Sequence, residues 1–72
     1  TAMPGADWCT LFMATCSQYV TIDALKMQST CVSTYDGWTM SQQDCRSQHL
    51  CLAYAGMPAV HCPHAQGVGL CQ

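Results

Sequence analysis

The sequence predicts a small all-α, disulfide-rich fold: about three short helices followed by an irregular C-terminal segment. Three observations predict it. Seven cysteines, at positions 9, 16, 31, 45, 51, 62 and 71, run almost end to end through 72 residues, and that density marks a disulfide framework formed in an oxidising compartment. Apolar residues recur at helical spacing. Turn residues, notably Asp36-Gly37 and Gly56 ahead of Pro58, divide the chain into helix-length pieces. A chain this short forms one domain, residues 1–72, whose apolar core alone is marginal. Three bridges at about 2–4 kcal/mol each are therefore the expected reason that it folds.

Residues 1–6 read as an extended lead-in. Asp7 is placed to cap a helix, after which Cys9, Phe12, Met13, Cys16 and Val20 share one face; this predicts a first helix over 8–19. Thr21 is a second cap, with Asp23 in the first turn. The second helix is expected over 22–31, with Ile22 and Leu25 inward and a weak end at Ser29-Thr30-Cys31. Tyr35-Asp36-Gly37-Trp38 reads as a turn. Ser41-Gln42-Gln43-Asp44 resembles a capping box and opens a third helix over 42–55, which stops at Gly56. On that helix Cys45, His49 and Leu52 share a face, and Cys51 points away from it. Beyond Gly56 the chain is expected to be irregular, because Pro63 drives Cys62 toward extended geometry. Gly67-Val68-Gly69 is then a flexible return into Cys71.

Charge is scarce. Lys26 and Arg46 are the only permanent cations, Asp7, Asp23, Asp36 and Asp44 the only anions, and charged residues make up 8% of the chain, against about 25% in ordinary domains. Two cations cannot track a phosphate backbone, so nucleic acid is not an expected partner, nor is an anionic membrane surface. The longest nearly apolar run, Leu50 to Val60, is too short to span a bilayer. The chain contains no Asn, which rules out N-glycosylation. It opens at Thr1, and with the cysteines this leads us to expect export followed by cleavage, placing the protein in the periplasm, on the cell surface or in the medium. Five Met, two Trp and three Tyr suit either the domain's own core or a face buried against a larger protein partner.

The chemistry is concentrated in the last third, in Cys45-Arg46-Ser47-Gln48-His49 and His61-Cys62-Pro63-His64. Cys45 and His49 are four apart on a predicted helix and can address one point. With His61 and His64 they form a candidate tetrahedral site for zinc, or a copper site. If one cysteine is a ligand, six remain for three bridges. No Cys-x-x-Cys pair is present, so the strongest zinc signature is missing. Covalent haem attachment lacks its motif, which leaves a haem held by two axial histidines. The four Asp are scattered and a Cys–His pair has no evident oxyanion pocket, so no enzymatic activity is expected.

Cys45-Arg46-x-x-His49, His61-Cys62-Pro63-His64-Ala65 and the Gly-rich approach to Cys71 together resemble a Cys/His-rich module of predicted lipoproteins and secreted proteins of myxobacteria and related bacteria. The resemblance covers residues 44–71; Cys9, Phe12, Cys16 and Cys31 match more loosely. The chain departs from the pattern in lacking a cysteine near its start and one near Leu25, and in adding Cys51. The resemblance implies export and a stapled fold, singles out Arg46, His49, His61 and His64, and implies no reaction. Cys51, outside the pattern, is the candidate for the unpaired thiol or for a rewired bridge. In that case Cys45 and Cys62 join Cys9, Cys16, Cys31 and Cys71 as bridge candidates, and a metal site rests on the histidines alone.

The leading expectation is a non-catalytic extracytoplasmic interaction module, an accessory subunit of a larger complex that needs no cofactor. A metal- or haem-binding redox module built on the histidines is the alternative, and a diffusible signal or toxin is a third.

Overall fold

A computed structural model describes all 72 residues. The chain is all-helical, with four α-helices and one 3-10 turn, one helix more than the sequence suggests. No helix is long and apolar enough to cross a membrane.

Helix α1 spans Gly5–Cys16 and begins earlier than Asp7 implies. Pro4 sits at the cap position with its carbonyl accepting from Trp8 N at 2.9 Å. Asp7 thus lies within the first turn, where its charge complements the helix dipole. Gly5 permits a close approach: a Cβ there would stand 3.0 Å from Asp36 Oδ1 and 3.1 Å from the Tyr35 ring. The second expected helix is divided. A 3-10 turn covers Asp23–Lys26, Met27 is extended, and α2 runs Gln28–Asp36. Thr30 Oγ1 donates to Ala24 O at 2.7 Å, so the weak helix formers open a helix instead of closing one. Tyr35 and Asp36 finish α2, and the turn is confined to Gly37-Trp38, whose N–H groups donate to Thr34 O and Tyr35 O.

Helix α3, Met40–Ala55, starts two residues earlier than Ser41-Asp44 suggests. Thr39 Oγ1 accepts from Gln42 N at 3.1 Å and Gln42 Oε1 accepts from Thr39 N at 2.8 Å. Thr39-x-x-Gln42 is the complete capping box, whereas the later alternative ends in Asp.

The main correction is at the C-terminus. Pro58–Ala65 form a fourth helix, α4, with Pro63 inside it. Pro58 occupies the first turn, where a missing N–H costs nothing. Pro63 removes one bond further in, but its carbonyl accepts from Val68 N at 2.9 Å. Cys62 beside it is tied to Cys16, and Ala65 is buried. Tertiary anchoring overrides the local preference.

Three disulfides hold the elements together: Cys9–Cys31 joins α1 to α2, Cys16–Cys62 joins α1 to α4, and Cys45–Cys71 joins α3 to the tail. Cys51 is free and exposed. The core is aromatic at its centre. Trp8 stacks on Phe12 at 4.7 Å and meets Trp38 edge-on at 5.2 Å, with Tyr35, Leu25, Leu50 and Ala53 around them. Buried Gln66 closes the far end, accepting from Thr21 N at 3.0 Å and donating to Tyr19 O at 2.8 Å.

Candidate metal centre

Helices α3 and α4 are consecutive and connect through Gly56-Met57, so they pack as a hairpin. The hairpin brings His49 of α3 against His61 and His64 of α4. The last two are three residues apart and share a face. Ring centroids lie 5.9 Å (His49–His61), 5.4 Å (His49–His64) and 6.2 Å (His61–His64) apart. One ring nitrogen from each falls within 4.8 Å of the other two. An ion bound at 2.0–2.1 Å would draw the nitrogens to about 3.4 Å apart. All three rings are half-buried.

The hydrogen bonding of the rings favours ligation. His49 Nδ1 lies 2.8 Å from Cys45 O. A carbonyl only accepts, so Nδ1 carries the proton and Nε2 holds a free lone pair. Metal-binding histidines are commonly oriented by such a bond. His61 Nδ1 and His64 Nδ1 are buried with no partner, and buried polar atoms are normally satisfied. A shared cation would satisfy them.

Cys45 does not complete this set, contrary to the four-ligand expectation. It is bonded to Cys71, and a disulfide sulfur is not a thiolate ligand. Cys62 is likewise bridged, to Cys16. The bridge nevertheless borders the site: Cys71 Sγ is 3.3 Å and Cys45 Sγ 3.8 Å from His49 Nδ1.

Arg46 holds the tail that carries Cys71. It is 7% exposed, its guanidinium lies 4.0 Å over the Trp38 ring, and Nε donates to Cys71 O at 2.8 Å. Burial lowers its pKa from the ordinary value. The ring face and the carbonyl stabilise its charge; the one ion pair, Lys26–Asp23, is elsewhere. Gly67 (φ +91°) makes room for it, since a Cβ there would stand 2.5 Å from Arg46 Nη2. From the sequence Arg46 is singled out by the resemblance and, from its place beside the Cys45–His49 face, is expected to cap a carbonyl or pair with Asp44 or another Asp; it takes a carbonyl, that of Cys71, and no Asp. Gln66 and the Arg46–Trp38 stack, which join residues far apart in the chain, were missed.

The protein's one cavity, about 420 Å³, lies on another flank of α3, between Thr1-Met3 and the Asp44–Leu52 stretch that includes Cys51. It contains no histidine. The sequence matches no protein-family model, no curated protein and no solved structure, so the candidate centre stands on its own geometry.

Proposed function

We propose that this chain is an extracytoplasmic, disulfide-stapled module that binds one borderline divalent ion, zinc or copper(II), through His49, His61 and His64. The observation that carries this reading is the convergence of three imidazoles from two helices, two of them with a buried, unpartnered nitrogen. Imidazole donors suit these ions. Three disulfides are typical of extracellular proteins and support the extracytoplasmic part. A single ion fits the cluster better than a haem, because the cavity lies elsewhere and has no histidine in its wall. Three protein ligands leave a coordination position open.

Isothermal titration of the oxidised chain with zinc tests the reading. The expected result is one ion per chain, with His61→Gln and His64→Gln each weakening binding at least about tenfold. Equal binding by the wild type and the double variant would overturn it.

A second reading is an accessory subunit with a protein partner. It is favoured by Tyr54 on α3, Met57 in the connection, Val60 on α4 and Val68 and Leu70 in the tail, all substantially exposed. The two readings meet if a partner donor fills the open position. Co-purification of a stoichiometric partner that is lost on metal removal would join them.

A further inference from the structure

His49 belongs to two sets of potential ligands. Through one nitrogen it faces His61 and His64; through Nδ1 it faces the Cys45 and Cys71 sulfurs at 3.8 and 3.3 Å. In a tetrahedral zinc site, with Zn–S of about 2.3 Å and Zn–N of about 2.0–2.1 Å, ligand nitrogen and sulfur sit about 3.5 Å apart. The observed distances bracket that value. Only the S–S bond keeps the sulfurs from acting as ligands.

We propose that the Cys45–Cys71 disulfide is a redox switch for the metal: its reduction creates a second site, formed by both thiolates and His49 Nδ1, that takes the ion from the three histidines. The proposal rests on the three-histidine reading for the oxidised state. A dithiol supplies two electrons and two protons. The S–S bond breaks, two S–H bonds form, and the dithiol closes to its own disulfide. The divalent ion, unchanged in oxidation state, then displaces both thiol protons to solvent and bonds to the two sulfurs and Nδ1. The His49 Nδ1 proton leaves to solvent while Nε2 takes one up. A neutral imidazole offers one lone pair at a time, so His49 serves one site or the other.

Two features suit this bridge to the role. Cys9, Cys31, Cys16 and Cys62 are fully buried, whereas Cys45 and Cys71 are half-buried, so a dithiol reaches their bond first. Reduction also leaves the tail tethered. Two contacts that do not involve the S–S bond hold it: Arg46 Nε donates to Cys71 O at 2.8 Å and Gln42 Nε2 to Gln72 O at 3.2 Å. The Cys71 thiol is therefore held near His49 and does not diffuse away with the chain end.

The test uses the full chain carrying Cys51→Ser, or the wild type with Cys51 alkylated beforehand, so that the one free thiol cannot contribute. The oxidised and dithiothreitol-limited forms are loaded anaerobically with cobalt(II). Reduction is expected to bring in a sulfur-to-cobalt charge-transfer absorption, and cobalt is expected to slow alkylation of Cys45 and Cys71 at least tenfold. No such absorption, with alkylation equally fast with and without metal, would overturn the switch. So would mapping that shows another bridge opening first. Cobalt binding by the oxidised form reports separately on the three-histidine site. If the oxidised form fails to bind and the reduced form gains the absorption, the thiolate site stands and the three-histidine reading falls.

Discussion

Arg46 shows how one buried charge organises the region around the candidate centre. Its guanidinium covers Trp38, its Nε holds the Cys71 carbonyl, and Gly67 leaves it space. A lysine has neither the planar face nor the fixed fork. Arg46→Lys is expected to cost about 1–3 kcal/mol, read as a lower urea midpoint of the oxidised chain; a loss under about 0.5 kcal/mol, the size of a neutral surface change, would contradict the strut. Gly67→Ala is destabilising for two reasons, a positive φ and a contact with Nη2. In an Arg46→Ala background the second reason disappears. The double-mutant cycle should therefore show coupling above about 0.5 kcal/mol, and strict additivity would contradict the contact. From the sequence, Arg46 has a carbonyl or an Asp as its expected partner, and the partner is the Cys71 carbonyl. Neither its neighbour on Trp38 nor the reason for Gly67 has a local signature.

At the scale of elements, legibility followed the range of the deciding interaction. The i, i+4 pairing of Cys45 with His49 is local, and the structure has it. The start of α3 is also local: Thr39-x-x-Gln42 was readable, but Ser41-x-x-Asp44 competes with it two residues later, and the fuller box prevails. Thr39→Ala should cost about 0.5–2 kcal/mol, seen as a lower melting temperature, while Ser41→Ala should change little because its hydroxyl caps nothing. Equal effects would mean that the helix start is set by packing. Helix α4 was not legible, because the preference of the residue before proline argues against it. What holds it is the bridge from Cys62 to a residue 46 positions earlier and the burial of Ala65. The candidate centre shares that limit. His61 and His64 meet His49 only because α4 exists and folds back on α3, so the sequence could nominate the ligands without showing that they converge.

For the molecule as a whole, pairing was the least legible property, since six cysteines chosen from seven allow about a hundred arrangements. The arrangement found gives the three bridges different duties. Cys9–Cys31 closes 22 positions and ties α1 to α2, away from the histidines; Cys16–Cys62 closes 46 and fixes α4 next to His61. Loop entropy alone assigns them about 3.4 and 4 kcal/mol, too close to separate by stability. Their effects on the candidate centre should differ. Cys16→Ala/Cys62→Ala releases α4, so His61 and His64 must be ordered at the moment of binding, and that ordering opposes the ion. Cys9→Ala/Cys31→Ala leaves the α3–α4 hairpin stapled by its remaining bridges. Titrated with zinc at a temperature where both variants remain folded by circular dichroism, the first should bind at least about tenfold more weakly than wild type, a difference of about 1.4 kcal/mol. The second should bind like the wild type. The same weakening in both variants would mean that the histidines depend on overall stability, and that the α1–α4 bridge has no particular part in placing them.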